Sequence, residues 1–147
     1  MYSTCNFILG YWNGGKIRLL LVDDSFTCRK MTTRLLHKFS IDCVDACNGE
    51  DAISKVRDSM QKHNLRFDGI IMDSEMPRMK GEDAALVIRG LGFLGKIFGC
   101  TGNTSKDEVE SFVANGADKV YMKPLDDKSF RSILKGKNHL SCYFFPP

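Results

Sequence analysis

The sequence predicts an α/β fold: a five-stranded parallel sheet between two layers of helices, a three-layer α-β-α arrangement. Three observations carry this expectation. Short, near-continuous apolar runs recur along the 147 residues, and a strand apolar on both faces belongs inside a covered sheet. Each run ends at once in acidic, hydroxyl, glycine or proline residues. Between the runs, apolar residues recur at three-to-four spacing, so strands and helices alternate one for one, as right-handed parallel crossovers require.

Residues 1–15 end in Asn13-Gly14-Gly15 and read as a loose leader. The first strand is Ile17–Val22, closed by Asp23-Asp24-Ser25. Ser25 or Asp24 can cap a helix that runs to Phe39, with Cys28, Met31, Leu35 and Phe39 as its expected buried stripe. Ile41–Asp45 alternates apolar and acidic residues and predicts a half-exposed edge strand. Asn48 can cap a second helix reaching about His63, with Ala52, Val56 and Met60 inward. Ile70, Ile71 and Met72 form the central strand, and Asp73 stands at its mouth before a turn with Pro77 and Gly81. Gly81–Leu91 is a third helix with Ala84, Ile88 and Leu91 inward. Lys96–Cys100 is a fourth strand, ending in Thr101-Gly102-Asn103. Ser105 and Glu108 form a capping-box pattern that opens a fourth helix, buried through Val109, Phe112 and Val113 and stopped by Gly116. Lys119–Met122 is the fifth strand, closed by Lys123-Pro124. Asp126 or Asp127 starts a fifth helix carrying Phe130, Ile133 and Leu134 to Gly136, and residues 137–147 are a short tail without periodicity. One domain over residues 16–136 is expected.

Composition narrows the function classes. A net charge of +3, from 21 basic and 18 acidic residues, is too small and dispersed to argue for nucleic acid. No apolar run approaches the roughly 18 residues a membrane helix needs. The first residues lack the basic start of a signal peptide. The six cysteines form no CxxC pair and no Cys/His metal spacing. Cys28, Cys43 and Cys100 fall at expected core positions, which fits reduced thiols and a cytoplasmic compartment, or a nuclear one in a eukaryote. A redox pair of Cys43 and Cys47 is the alternative.

Parallel strands place all their C-terminal ends on one edge, where open α/β sheets hold ligands. Asp23, Asp24, Asp73, Thr101 and Lys123 each follow a predicted strand and so converge there. Taken singly, Asp23-Asp24 can be an exposed capping turn, and Asp73 can bond the loop amides behind it. Taken together, three carboxylates suit a hard divalent cation such as Mg²⁺, with Mn²⁺ able to substitute. Such an ion screens Asp73, so that the carboxylate can approach an anionic phosphoryl donor as nucleophile. Lys123 can neutralise phosphoryl oxygens, while the Thr101 hydroxyl and the Gly102 amide can donate to them.

On the acidic pair in LLVDDS, the MDSEMPRMKG stretch, Thr101-Gly102 and Lys123-Pro124, the chain resembles the receiver domains of two-component response regulators, from about Lys16 to Leu134. The resemblance implies the flavodoxin-like receiver fold with strand order 2-1-3-4-5. It implies that Asp73 is the phosphoacceptor, charged from a phosphohistidine on a histidine kinase or a histidine-containing phosphotransfer protein. It implies that Asp24, Asp73 and the Glu75 backbone carbonyl ligate Mg²⁺ directly and Asp23 through water, and that the Lys123–Pro124 peptide is cis. It implies a domain that catalyses its own phosphorylation and slow dephosphorylation. The M-P-x-M-x-G form is similar to receivers of multistep phosphorelays and, within plants, to short cytokinin-type regulators. The residues after Gly136 are too few for a DNA-binding output domain, so a monomeric, stand-alone receiver or a piece of a hybrid kinase is expected.

Two positions depart from the family pattern. Glu75 stands where Asn or another uncharged residue is common, and Val120 stands where many members carry an aromatic switch residue. These departures favour one alternative, a degenerate receiver that binds proteins independently of phosphorylation. A second alternative, an aspartyl-phosphate phosphatase resembling the haloacid dehalogenases, rests on Asp73-Ser74-Glu75. It requires the motif after the first strand, and here it follows the third.

Overall fold

The structure is a computed structural model that describes residues 17–103 and 105–135, with only the backbone of His63, Leu134 and Lys135. The expected leader, the tail, the stop at Gly136 and the burial of Leu134 lie outside the described residues. Five strands alternate with five helices: β1 (Arg18–Val22), α1 (Phe26–Lys38), β2 (Asp42–Ala46), α2 (Gly49–Gln61), β3 (Gly69–Asp73), α3 (Gly81–Gly90), β4 (Lys96–Thr101), α4 (Lys106–Ala114), β5 (Lys119–Met122) and α5 (Asp127–Lys135). A 3-10 turn, His63–Leu65, follows α2. The sheet is parallel throughout in the order β2-β1-β3-β4-β5.

Alternation along the strands divides the core in two. Leu20, Val22, Ile70, Met72 and Ile97 face Val56, Ile88 and Phe112, from α2, α3 and α4. Leu19, Leu21, Ile71, Phe98 and Cys100 face Leu36, Phe130 and Ile133, from α1 and α5. All five residues of β3 are buried, as a central strand covered on both sides must be. Each wholly buried Leu or Ile contributes about 2 kcal/mol. Gly99 leaves the space that the Phe112 ring fills, since a Cβ there would lie 2.7 Å from that ring.

Helix caps follow the sequence: Ser25, Asn48 and Ser105 accept from the amides of Cys28, Asp51 and Glu108. The inward faces of two helices do not. In α1, Cys28 is exposed and Met31 is 65% exposed, whereas Leu36 is wholly buried and Leu35 and Phe39 only partly so. Leu35 and Leu36 are adjacent, so either can anchor an apolar stripe, and moving by one residue turns a helix by about 100°. Packing selects Leu36, which brings Arg29, Thr32 and Thr33 toward the sheet in place of Cys28 and Met31. In α4, Phe112 is buried but Val113 is 46% exposed, because the helix meets the sheet through the Phe112 ring, which lies over Gly99. Cys100 is buried as expected, while Cys43 is only partly buried.

Candidate phosphoryl-transfer site

β1 and β3 are hydrogen-bonded neighbours, with Val22 beside Met72, so the residues that follow meet at the sheet edge. Asp23 and Asp73 are 6% and 3% exposed, while Asp24 is open to solvent. One oxygen from each of the three carboxylates lies within 4.8 Å of the others. Lys123, reached from β5, bridges the buried pair: its Nζ is 2.9 Å from Asp23 Oδ2 and 2.8 Å from Asp73 Oδ1. The Lys123–Pro124 peptide is cis.

Backbone amides hold the two buried carboxylates. The Ser25 amide donates to Asp23 Oδ1 at 2.8 Å, and the Glu75 amide to Asp73 Oδ1 at 3.3 Å. The Glu75 side chain itself is exposed. Burial raises the Asp73 pKa, with Asp23 adding to the effect, while Lys123 and the Glu75 amide pull it down. Burial opposes the charge on Lys123, yet its bonds to Asp73 and Asp23 hold its pKa above the ordinary lysine value. Lys123 is therefore a fixed cation, and one cation cannot neutralise three carboxylates. The clustered oxygens fit a hard divalent ion such as Mg²⁺ on donor type and charge.

The fourth strand that reaches the site is β4. Thr101 is 2% exposed. Its hydroxyl accepts from the Asn103 amide at 3.0 Å and donates to the Asn103 carbonyl at 3.2 Å. The hydroxyl expected to donate to a phosphoryl oxygen is thus engaged within its own loop. A Cβ on the next residue, Gly102, would meet nothing within 4 Å. Behind Asp73 the chain turns through buried Met76 and exposed Pro77, with Arg78 at φ 67°. Gly81 closes the turn by donating to the Ser74 carbonyl at 2.9 Å. Any side chain at Gly81 would collide with the Asp73 carbonyl oxygen.

Three participants escaped the sequence reading. Arg29 donates to the backbone carbonyls of Asp23 at 2.8 Å and Asp24 at 3.3 Å, and pairs with Asp45 at 2.8 Å. Its place one turn after the acidic pair was the available signal, and the misplaced α1 stripe hid it. Asn103 and Glu108 form the others: the Asn103 side-chain amide donates to Glu108 Oε1 at 3.1 Å. The Ser105 amide donates to Asn103 Oδ1 at 3.1 Å, so the expected capping box forms on one side only.

A family model described as the response regulator receiver domain matches residues 19–135. The two-component response regulator ORR41 of Oryza sativa subsp. japonica is 35% identical over 120 residues, covering 80% of this chain and 91% of that protein. Two-component system protein A of Emericella nidulans is 34% identical over 108 residues, covering 73% of this chain and 15% of that protein. The receiver domain of the histidine kinase CKI1 from Arabidopsis thaliana, in its structure complexed with Mg²⁺, has a TM-score of 0.71 and 29% identity. That match covers 80% of this chain and 91% of the other.

Proposed function

The chain belongs to the response regulator receiver domain family, and from that membership we propose that it is a phosphorelay receiver, phosphorylated on Asp73 by a histidine kinase or a histidine-containing phosphotransfer protein. The observation that carries this reading is the Lys123 bridge between two buried carboxylates at the C-terminal edge of the sheet. Asp23, Asp24 and Asp73, with the Glu75 carbonyl, would hold Mg²⁺, or Mn²⁺ in its place. The bound ion supplies charge screening, and the protein's own groups do the rest.

An Asp73 carboxylate oxygen forms a bond to phosphorus as the bond to the donor imidazole nitrogen breaks, and that nitrogen leaves with the electron pair. Lys123, already beside Asp73, keeps its proton and neutralises a phosphoryl oxygen as a point charge. Thr101 turns from Asn103 to donate to another, and the Gly102 amide offers a further donor. Positioning and charge neutralisation of this kind are most of what phosphoryl transfer needs. Asp118 and Arg89, an ion pair at the N-terminal ends of β4 and β5 and so at the opposite edge of the sheet, take no part.

The domain spans about residues 16–136 in this reading and acts as a cytoplasmic, or in a eukaryote nuclear, monomer that does not bind nucleic acid. Among the described residues, no helix is long and apolar enough to cross a membrane. The test is incubation with acetyl phosphate and Mg²⁺, read by intact mass. One added phosphate, absent from Asp73→Asn, is expected. No uptake by the wild type would favour the phosphorylation-independent binding module.

A further inference from the structure

Two polar atoms beside the site have no protein partner. Ser74 Oγ and Glu108 Oε2 are both buried and make no hydrogen bond. Ser74 follows Asp73 directly, and Glu108 lies in the first turn of α4. Both residues line one pocket of about 20 Å³, together with Glu75, Lys80, Glu82 and Phe112. A buried hydroxyl and a buried carboxylate oxygen left unpaired are each unfavourable, and a bond between them removes both penalties.

Glu108 is engaged through its other carboxylate oxygen. Its Oε1 is held by the Asn103 side chain, and the Asn103 backbone is held by the Thr101 hydroxyl in both directions. Thr101 cannot keep its bond to the Asn103 carbonyl and donate to a phosphoryl oxygen at the same time, because a hydroxyl has one proton. Turning the Thr101 proton toward a phosphoryl oxygen breaks its bond to the Asn103 carbonyl and so loosens one tie on the residue that holds Glu108.

We propose that Ser74 and Glu108 are positioning residues whose side chains pair when Asp73 carries a phosphoryl group, tying the phosphoacceptor loop to the first turn of α4. The Ser74 hydroxyl donates and Glu108 Oε2 accepts. The pair rests on the reading of Asp73 as phosphoacceptor. It gives α4 a direct link to the site that needs no large ring at Val120.

The experiment is a double-mutant cycle on the full chain, with Ser74→Ala, Glu108→Ala and the double variant. Beryllofluoride with Mg²⁺ stands in for the phosphoryl group. Each single substitution should weaken beryllofluoride binding roughly tenfold, as loss of a hydrogen bond to a charged group does, and the double variant should lose no more than either single. The same cycle on melting temperature without beryllofluoride should show no coupling. Unchanged affinities, losses that multiply in the double variant, or equal coupling without the ligand would each overturn the pairing. Failure of the wild type to bind would overturn it together with the Asp73 reading, and that result appears before any substitution is made.

Discussion

Lys123 and Asp73 are joined by a 2.8 Å contact between Nζ and Oδ1, although β4 separates their strands in the sheet. The lysine reaches Asp23 as well, 100 positions away in the chain. This cation partly offsets the burial that raises the Asp73 pKa. Lys123→Ala should lower the rate of phosphorylation by acetyl phosphate by about a hundredfold, the cost of removing one preorganised charge-stabilising group. Asp73→Asn should abolish it. Equal labelling of either variant and the wild type, by intact mass, would refute the assignment.

Divalent cations should stabilise the fold, because they bind where carboxylates crowd. At a Mg²⁺ concentration 100 times its Kd, linkage gives about 2.7 kcal/mol. The thermal shift should shrink in Asp24→Ala, which removes an exposed carboxylate from the cluster. An undiminished shift in that variant would place the ion elsewhere.

Gly81→Ala tests the turn behind Asp73. The added methyl collides with the Asp73 carbonyl oxygen, and backbone cannot give way as a flexible side chain can. A loss of about 2 kcal/mol or more is expected in urea unfolding, with slower phosphorylation. A variant as stable as the wild type would mean that the turn is looser than this geometry.

Asp118 lies at the other end of the sheet. It accepts from Arg89, Lys96 and the Ile97 amide. Burial works to raise its pKa, but Lys96, the Ile97 amide and Arg89 together hold it below the ordinary 3.8. A depressed folded-state pKa contributes stability that is present above 3.8 and is lost as pH falls through the folded value. Between pH 7 and pH 3 the wild type should therefore lose more stability than Asp118→Asn. Partial exposure limits the difference to under about 1 kcal/mol. Urea midpoints at both pH values give the measurement, and a steeper loss in the variant would reverse the sign.

Val120 packs on the same side of the sheet as Phe112, while Tyr121 faces the other side, edge-on to Phe98 and 3.2 Å from Ser132 Oγ. Valine is stiff at χ1 and small, so phosphorylation should move this face little. Amide shifts on adding beryllofluoride should be large around Asp73, Thr101 and the first turn of α4, and small along Phe112–Gly116 and Val120–Met122. Large shifts in those last two stretches would show that the face switches without an aromatic residue.

The sequence alone determined the ten elements and their alternation, because apolar runs and three-to-four periodicity are local patterns. It also determined which residues meet: strands running one way put their final residues on one edge, so Asp23, Asp73, Thr101 and Lys123 had to gather there. Tertiary structure decided the rest. The rotation of α1 depended on whether Leu35 or Leu36 met the sheet, and packing, not periodicity, chose Leu36. That choice carried Arg29 to the carbonyls of Asp23 and Asp24. The partner of Glu108 was likewise undetermined: a capping box and the Asn103 contact use the same carboxylate, and only the folded β4–α4 loop selects between them. Hydrogen-bond partners of this kind depend on approach in three dimensions, which spacing along a chain does not encode.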